Sequence, residues 1–263
     1  NLRAFERDEH DLDIASNLAF IYSEQGQYDS ALFWHKKALA IQPDSAVAQL
    51  HFAITLQRIG EFRDAAIWYE RALASKPDYL LAIKHNATLF IEESKVEKAV
   101  TYLLHKLERF PNHPMLLDTL VKAYVYLGEF EKASQAVEQL SALGGSIHNS
   151  AHVLLILYSR NQLSQTGEIT RISAELMTKQ RQGNEHSNVS FLLGQLALFT
   201  NDHKQMIRYW IQAIEQGMVK PWQYYQVLTI AGQSVPVELE RKLSSKVNEI
   251  KSAKTTYQNM RSA

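Results

Sequence analysis

Apolar and polar positions along the chain repeat with a period of 34 residues. In the first unit, Leu18, Ala19 and Tyr22 fall at helical spacing and mark one apolar face. Gly26, in Glu24-Gln25-Gly26-Gln27-Tyr28, ends that helix, because glycine enters the left-handed region without a Cβ clash. A second helix follows, with Ala31 and Ala38 on one face, and Pro43 stops it. The same columns recur downstream. Ala31, Ala65, Ala99 and Ala133 stand 34 apart, as do Pro43, Pro77 and Pro111, with Gly145 in the next place. Gly26, Gly60 and Gly128 share that spacing, and Ser94 fills the gap. Tyr22, Leu56, Phe90 and Tyr124 form a large column, as do Tyr28, Phe62, Val96 and Phe130; Ala19, Ala53, Ala87 and Val121 form a small one.

This arithmetic predicts four helix–turn–helix units, at 12–45, 46–79, 80–113 and 114–146. One such unit cannot bury its apolar face alone, and stacking solves the problem; the expected fold is an all-α solenoid whose contacts run between neighbours. Residues 147–220 read as two degenerate helix pairs. The second, from about 187, carries Leu193, Gly194, Tyr209, Trp210 and Ala213 at the right places but lacks the turn glycine. The polar run 179–188 is expected to be a long loop. Residues 221–263 are expected to form C-terminal capping helices, the last over about 236–261 with Leu239, Leu243, Val247, Ile250, Tyr257 and Met260 at mostly three- and four-residue steps. At the other end, Ala4 and Phe5 fit the closing half of a second helix. Residues 1–11 are therefore read as the tail of a preceding repeat, and the natural protein is expected to be longer.

The residues Leu18-Ala19-x-x-Tyr22, Gly26, Tyr28, Ala31, Ala38 and Pro43, followed by Phe52-Ala53, Gly60, Phe62, Ala65, Tyr69, Ala72 and Pro77, resemble the tetratricopeptide repeat (TPR) pattern. The third unit departs from it at Asn86 and Lys106, and the fourth loses the closing proline. The resemblance covers roughly 12–146. It implies a right-handed superhelical solenoid whose first helices line a concave groove, and a role in holding an extended peptide or a partner helix.

On that implication, groove positions can be projected. A polar line, Asn17, His51, His85 and Thr119, runs 34 apart along the first helices. Asparagines in such a line hold ligand backbone in some superhelices of the family, and only Asn17 keeps that residue here. The remaining projected lining is Asp13, Ser16, Phe20 and Ser23; Val47, Leu50, Ile54, Gln57 and Arg58; Leu81, Lys84, Thr88, Ile91 and Glu92; and Met115, Asp118, Lys122, Val125 and Tyr126. Its apolar members would make a strip larger than a monomer usually leaves in water. Something should cover it: a partner segment in the favoured reading, otherwise the chain's own C-terminal helix or another protomer. Arg58, Lys84 and Lys122 read first as a solvated basic face and second as a contact for an acidic or carboxylate-bearing partner. The family's clamp for chaperone C-termini is disfavoured, since Ser16 and Phe20 stand at its first-unit positions.

Composition narrows the chemistry. Lys plus Arg equals Asp plus Glu at 28 each, which gives no basic footprint for nucleic acid. No apolar run reaches the length of a membrane span. There is no cysteine, so thiol catalysis, disulfides and cysteine-ligated zinc are excluded, while both cytoplasm and bacterial periplasm remain open. Among ten histidines, His148 and His152 share a helical face, but no nearby acid completes a metal shell. Asn86-Ala87-Thr88 matches a glycosylation tripeptide, yet Asn86 occupies a core column. No catalytic residue, metal or cofactor is expected, and Trp34, Trp68, Trp210 and Trp222 read as packing aromatics. The sequence thus predicts a non-enzymatic interaction scaffold with a groove at Asn17, Phe20, Leu50, His51, Ile54, Arg58, Lys84, His85, Ile91, Lys122 and Tyr126. Its partner is another protein or peptide, and the C-terminal helix is a candidate for self-association. The alternative is the targeting or adaptor arm of a larger enzyme or a bacterial envelope, secretion or polysaccharide-export assembly.

Overall fold

The computed structural model describes residues 12–143, 166–181, 187–216, 224–225, 227–228 and 233–262. Among them there is no strand. The helices are α1 (Leu12–Glu24), α2 (Tyr28–Ile41), α3 (Ala46–Arg58), α4 (Phe62–Ser75), α5 (Leu80–Glu92), α6 (Val96–Arg109), α7 (Pro114–Leu127), α8 (Phe130–Ala142), α9 (Thr166–Arg181), α10 (Ser187–Phe199), α11 (His203–Glu215) and α12 (Val237–Ser262). The all-α helical repeat is therefore the observed fold class.

The turns repeat as faithfully as the sequence. The amide that follows each turn residue closes onto a carbonyl five residues back: Gln27 on Tyr22, Glu61 on Leu56, Lys95 on Phe90 and Glu129 on Tyr124. These carbonyls lie 34 residues apart and belong to the large apolar column. The bond satisfies an orphan acceptor of the last helical turn and needs a left-handed residue before it. Gly60 has φ 82° there, and Ser94 adopts the same region at φ 60°. In the turn between α10 and α11, Asn201 does so at φ 59°, and Asp202 closes onto Ala197. The last pair therefore keeps the turn without its glycine. Asp202 also caps α11, accepting from the Gln205 amide at 3.1 Å.

The chain forms two compact units, Asn1–Leu89 with Ser245–Ala263, and Phe90–Ser244. In the first, Ala15, Leu18, Ala19, Trp34, Ala38 and Ala48 form a buried cluster, with Leu12, Ile14, Tyr22, Leu39 and Ile41 packed on it. In the second, Phe90, Ala99 and Ala123 form one cluster. Ile172 and Leu176 of α9 join Val189, Leu192, Leu193 and Leu196 of α10 in another. A third gathers Phe191, Met206, Trp210, Tyr224, Leu239 and Leu243. Helix α12 thus supplies Leu239 and Leu243 to the second unit, while Ala253 and Tyr257 are buried in the first.

The polar run expected as a loop is shorter than predicted: 179–181 close α9 and 187–188 open α10. Lysines and arginines suit a helix C-terminus, so polarity alone does not end the helix there. The His148/His152 pair lies outside the described residues. Asn86 is buried, as its column predicts.

Sixteen residues apart in each pair stand a buried residue of the first helix and one at least as large in the second. The buried combinations are Ala19 with His35, Ala53 with Tyr69, Val121 with Val137, and Gly194 with Trp210, each at the same places in its unit. Where the second residue is largest, the first is smallest. A Cβ on Gly194 would fall inside the Trp210 indole. The indole is fully buried and its Nε1 donates to the Phe191 carbonyl at 3.0 Å. It stacks on Phe191 at 5.9 Å and meets Tyr224 edge-on at 5.3 Å.

Gly194→Ala is expected to destabilise the chain by about 1–3 kcal/mol through overpacking, and the double change Gly194→Ala/Trp210→Tyr to recover part of that loss, since it recreates the Ala53/Tyr69 combination. Urea unfolding of the two variants checks this. Gly60→Ala is expected to cost about 1 kcal/mol for backbone reasons alone, because the space around Gly60 is open but its φ is positive.

Candidate functional site

The first helices of the first unit are buried over most of their circumference. Helix α3 buries Ala48, Gln49, Leu50, Ala53, Thr55, Leu56 and Gln57, since it packs on both α2 and α4 and also reaches α1. Each helix leaves a stripe at the i, i+4, i+7, i+11 spacing, and on α1 Ile21 beside it is also exposed. On α1 the stripe is Asp13, Asn17, Phe20 and Glu24; on α3 it is Val47, His51, Ile54 and Arg58; on α5 it begins Leu81, His85 and Thr88. Corresponding members stand 34 residues apart. Neighbouring stripes touch: the Phe20 and His51 rings lie 4.9 Å apart, and Arg58 Nη2 donates to Glu24 Oε1 at 2.5 Å. Phe20, Val47 and Leu81 are 40, 45 and 40% exposed, high for large apolar side chains. Asn17 is exposed, and His51, Ile54, Arg58, Lys84 and His85 are half-buried.

Leu50 does not belong to this face. It is 1% exposed, because it stands one residue before the stripe position His51 and is rotated about 100° into the core. Ser16 and Ser23 are buried for related reasons, as is Gln57, whose Oε1 accepts from the Tyr69 hydroxyl at 2.5 Å. The basic patch also changes character. Arg58 is engaged by Glu24 and by Ser23 Oγ at 3.2 Å. The polar line is partly structural too: His85 stacks on Tyr69 at 6.3 Å with 10° between planes.

In the second unit, taken by itself, Ile91 packs against the Phe90–Ala99–Ala123 cluster. Lys122 pairs with the buried Asp118 at 2.9 Å on its own helix. Thr119 is buried and its hydroxyl donates to the Met115 carbonyl at 2.9 Å. Val125 is buried, and Tyr126 and Met115 are half-buried. Among the described residues no group of three or more His, Asp or Glu side chains could hold a metal.

Beneath the stripe runs a polar chain the sequence did not reveal. His35 Nε2 lies 2.8 Å from Thr55 Oγ1, and Thr55 Oγ1 is 2.9 Å from Ser23 Oγ and 3.1 Å from the His51 carbonyl. With the single threonine proton given to Ser23 or to that carbonyl, Thr55 accepts from His35, which assigns the Nε2–H tautomer. The chain links α1, α2 and α3 and ends on Arg58. His35 is fully buried, and desolvation, with a smaller push from His51, lowers its pKa to about 3. Desolvation likewise lowers His51, opposed by Glu24 and reinforced by Arg58, so the stripe carries an uncharged imidazole near neutral pH.

The folded pKa of His35 lies below its unfolded value of 6.5, so its stabilising contribution is complete above pH 6.5 and is lost as pH falls toward 3. At about 1.4 kcal/mol per pH unit, lowering the pH from 7.5 to 5 is expected to remove about 2 kcal/mol. His35→Tyr, which installs the residue found at the matching position 69, should flatten that part of the pH dependence. Equal slopes for the two proteins in denaturant unfolding at pH 7.5, 6 and 5 would contradict it.

Comparison with known proteins agrees with this geometry. Residues 10–78, which contain helices α1 to α4, match the family model described as tetratricopeptide repeat. No match is found among curated proteins. Among solved structures, PilW, described as a widely conserved type IV pilus biogenesis factor, is 18% identical with a TM-score of 0.54, covering 73% of this chain and 86% of its own. PilF of Pseudomonas aeruginosa is 18% identical with a TM-score of 0.51, covering 91% and 99%. A thermophilic TPR protein of Thermus thermophilus is 19% identical with a TM-score of 0.51, covering 71% and 98%. At these identities the likeness is one of fold. Together with the 34-residue register and its repeated turn bonds, it shows a helical repeat fold of the tetratricopeptide type, with the family model itself matched over residues 10–78.

Proposed function

We propose that this chain is a protein-interaction scaffold that holds a partner polypeptide along the stripe of its first unit. The observation that carries the reading is the exposure of Phe20, Val47 and Leu81 beside half-buried Ile54 and His51 at corresponding positions of successive first helices. The fold does not need these apolar side chains outside, and their removal from water by a partner is favourable at about 25 cal/mol per Å². Along the stripe Asp13, Val47 and Leu81 share one end, Asn17, His51 and His85 then Phe20, Ile54 and Thr88 follow, and the Glu24–Arg58 pair closes the other end, so apolar side chains stand among polar ones throughout. Asn17 offers an exposed amide to partner backbone. Leu50, being buried, supports the stripe and does not contact the partner.

A second reading, an adaptor arm of an envelope assembly, takes its support from the fold shared with PilW, itself described as a pilus biogenesis factor. The two readings predict different partners for one surface.

A photo-crosslinking residue at Val47 is expected to capture a polypeptide from native extract, whereas the same residue at Ile67, equally exposed but on α4, captures none. Ile54→Glu should weaken the captured complex at least tenfold in Kd, about 1.4 kcal/mol, with helicity unchanged. Capture at both positions alike would remove the stripe as the binding face; the identity of the captured chain separates a soluble ligand from an envelope component.

A further inference from the structure

The second half of α12 presents Lys254, Tyr257, Gln258 and Arg261 on one face, at the i, i+3, i+4, i+7 spacing. Against it stand two carboxylates three residues apart at the start of α4. Tyr257 Oη donates to Asp64 Oδ2 at 2.9 Å, and Arg261 Nη1 donates to the same oxygen at 2.9 Å. Gln258 Nε2 donates to Glu61 Oε1 at 3.0 Å, and Lys254 Nζ lies 3.4 Å from that atom. The Tyr257 ring meets Phe52 edge-on at 6.1 Å, and Phe52 in turn meets Trp68 at 5.0 Å. Burial, reinforced by the Asp64 carboxylate, pushes the Tyr257 hydroxyl pKa up, so it remains a donor.

Asp64 is 6% exposed. A buried carboxylate is costly without hydrogen-bonding or charged partners, and Asp64 Oδ2 receives both Tyr257 and Arg261 from the terminal helix. Its place in the first turn of α4 adds favourable dipole interaction but no side-chain donor. The face therefore has the properties of a recognition site: an aromatic floor, a buried acceptor, a second acceptor at the edge, and a helix of matching chemistry seated on it.

We propose that Phe52, Trp68, Glu61 and Asp64 form a helix-binding site that reads a Lys-x-x-Tyr-Gln-x-x-Arg face, that residues 254–261 fill it as an internal ligand, and that the same segment of a second copy of this chain takes their place in trans. The site uses residues other than those of the stripe on α1, α3 and α5, and the two ideas stand or fall separately. Two features favour a second copy as the external occupant. Its terminal helix carries the full set of four complementary side chains, and the site's acceptors match them one face to the other without a further group.

The test titrates a fluorescent peptide of residues 245–262 onto full-length chains. The wild type, filled internally, is expected to bind it at least tenfold more weakly than the Tyr257→Ala/Arg261→Ala chain, in which the internal ligand is weakened and the site is intact. Adding Asp64→Asn to that opened chain should cost at least tenfold. An Asp64→Arg chain paired with an Arg261→Asp peptide should regain binding, which separates recognition from misfolding. The proposal is overturned if the opened chain binds the peptide no better than the wild type. It is equally overturned if Asp64→Asn leaves binding unchanged, or if a scrambled peptide of the same charge binds as well.

Discussion

Everything in this structure depends on how closely the two helices of a pair approach. Where the approach is closest, Gly194 on the first helix lies under the Trp210 indole of the second. These places exchange volume: valine is buried at both 121 and 137, and glycine at 194 meets tryptophan at 210. Interiors packed at crystal-like density allow such trades while punishing an unmatched methyl group. In the first four units the 34-residue period is thus the spacing at which this pair of buried places recurs.

Closing the pair leaves each first helix with neighbours on either side. In α3 this buries Gln49, Thr55 and Gln57 along with the alanines and leucines, so polar side chains enter the core and must be satisfied there. Gln57 takes the Tyr69 hydroxyl, Gln49 donates to the Pro43 carbonyl at 2.7 Å, and Thr55 joins His35 to Ser23. This crowding also gives the exposed stripe its meaning. Residues that packing does not constrain are the ones whose chemistry must be explained by something outside the fold. Phe20, Val47 and Leu81 are such residues; Arg58 and Lys122 are not, since Glu24 and Asp118 already account for their charge.

The period made the helices, their turns and the class of fold legible from the residues alone. Projection of a groove was only partly legible. A helix turns 100° per residue, so an error of one position moves a side chain from the stripe to the core, and this happened at Leu50. Asn201 could have been read as the missing turn glycine, because asparagine is the next residue to tolerate the left-handed region. Three other features had no local signal. The hydrogen-bonded chain from His35 to Ser23 joins three helices through residues whose neighbours in sequence are ordinary. Lys122 pairs with a carboxylate that projection had placed on the open face. The Tyr257–Asp64 bond spans 193 positions, beyond the reach of any periodic argument.

That last contact can be weighed from its parts. The Lys254–Glu61 and Gln258–Glu61 contacts are at the surface, where such pairs contribute about 0–1 kcal/mol each. Arg261 is two-thirds exposed and is screened accordingly. The substantial contributions are the burial of one tyrosine ring, roughly 1.5–3 kcal/mol, and the satisfaction of one buried carboxylate. A segment held by one ring, one buried alanine and one acceptor opens at a cost below that of unfolding a core helix such as α3, whose middle is buried on several sides. The terminal helix is therefore seated specifically, through a buried polar bond, but not permanently. That combination suits a ligand better than a keystone, and it locates the choice between the two at Asp64.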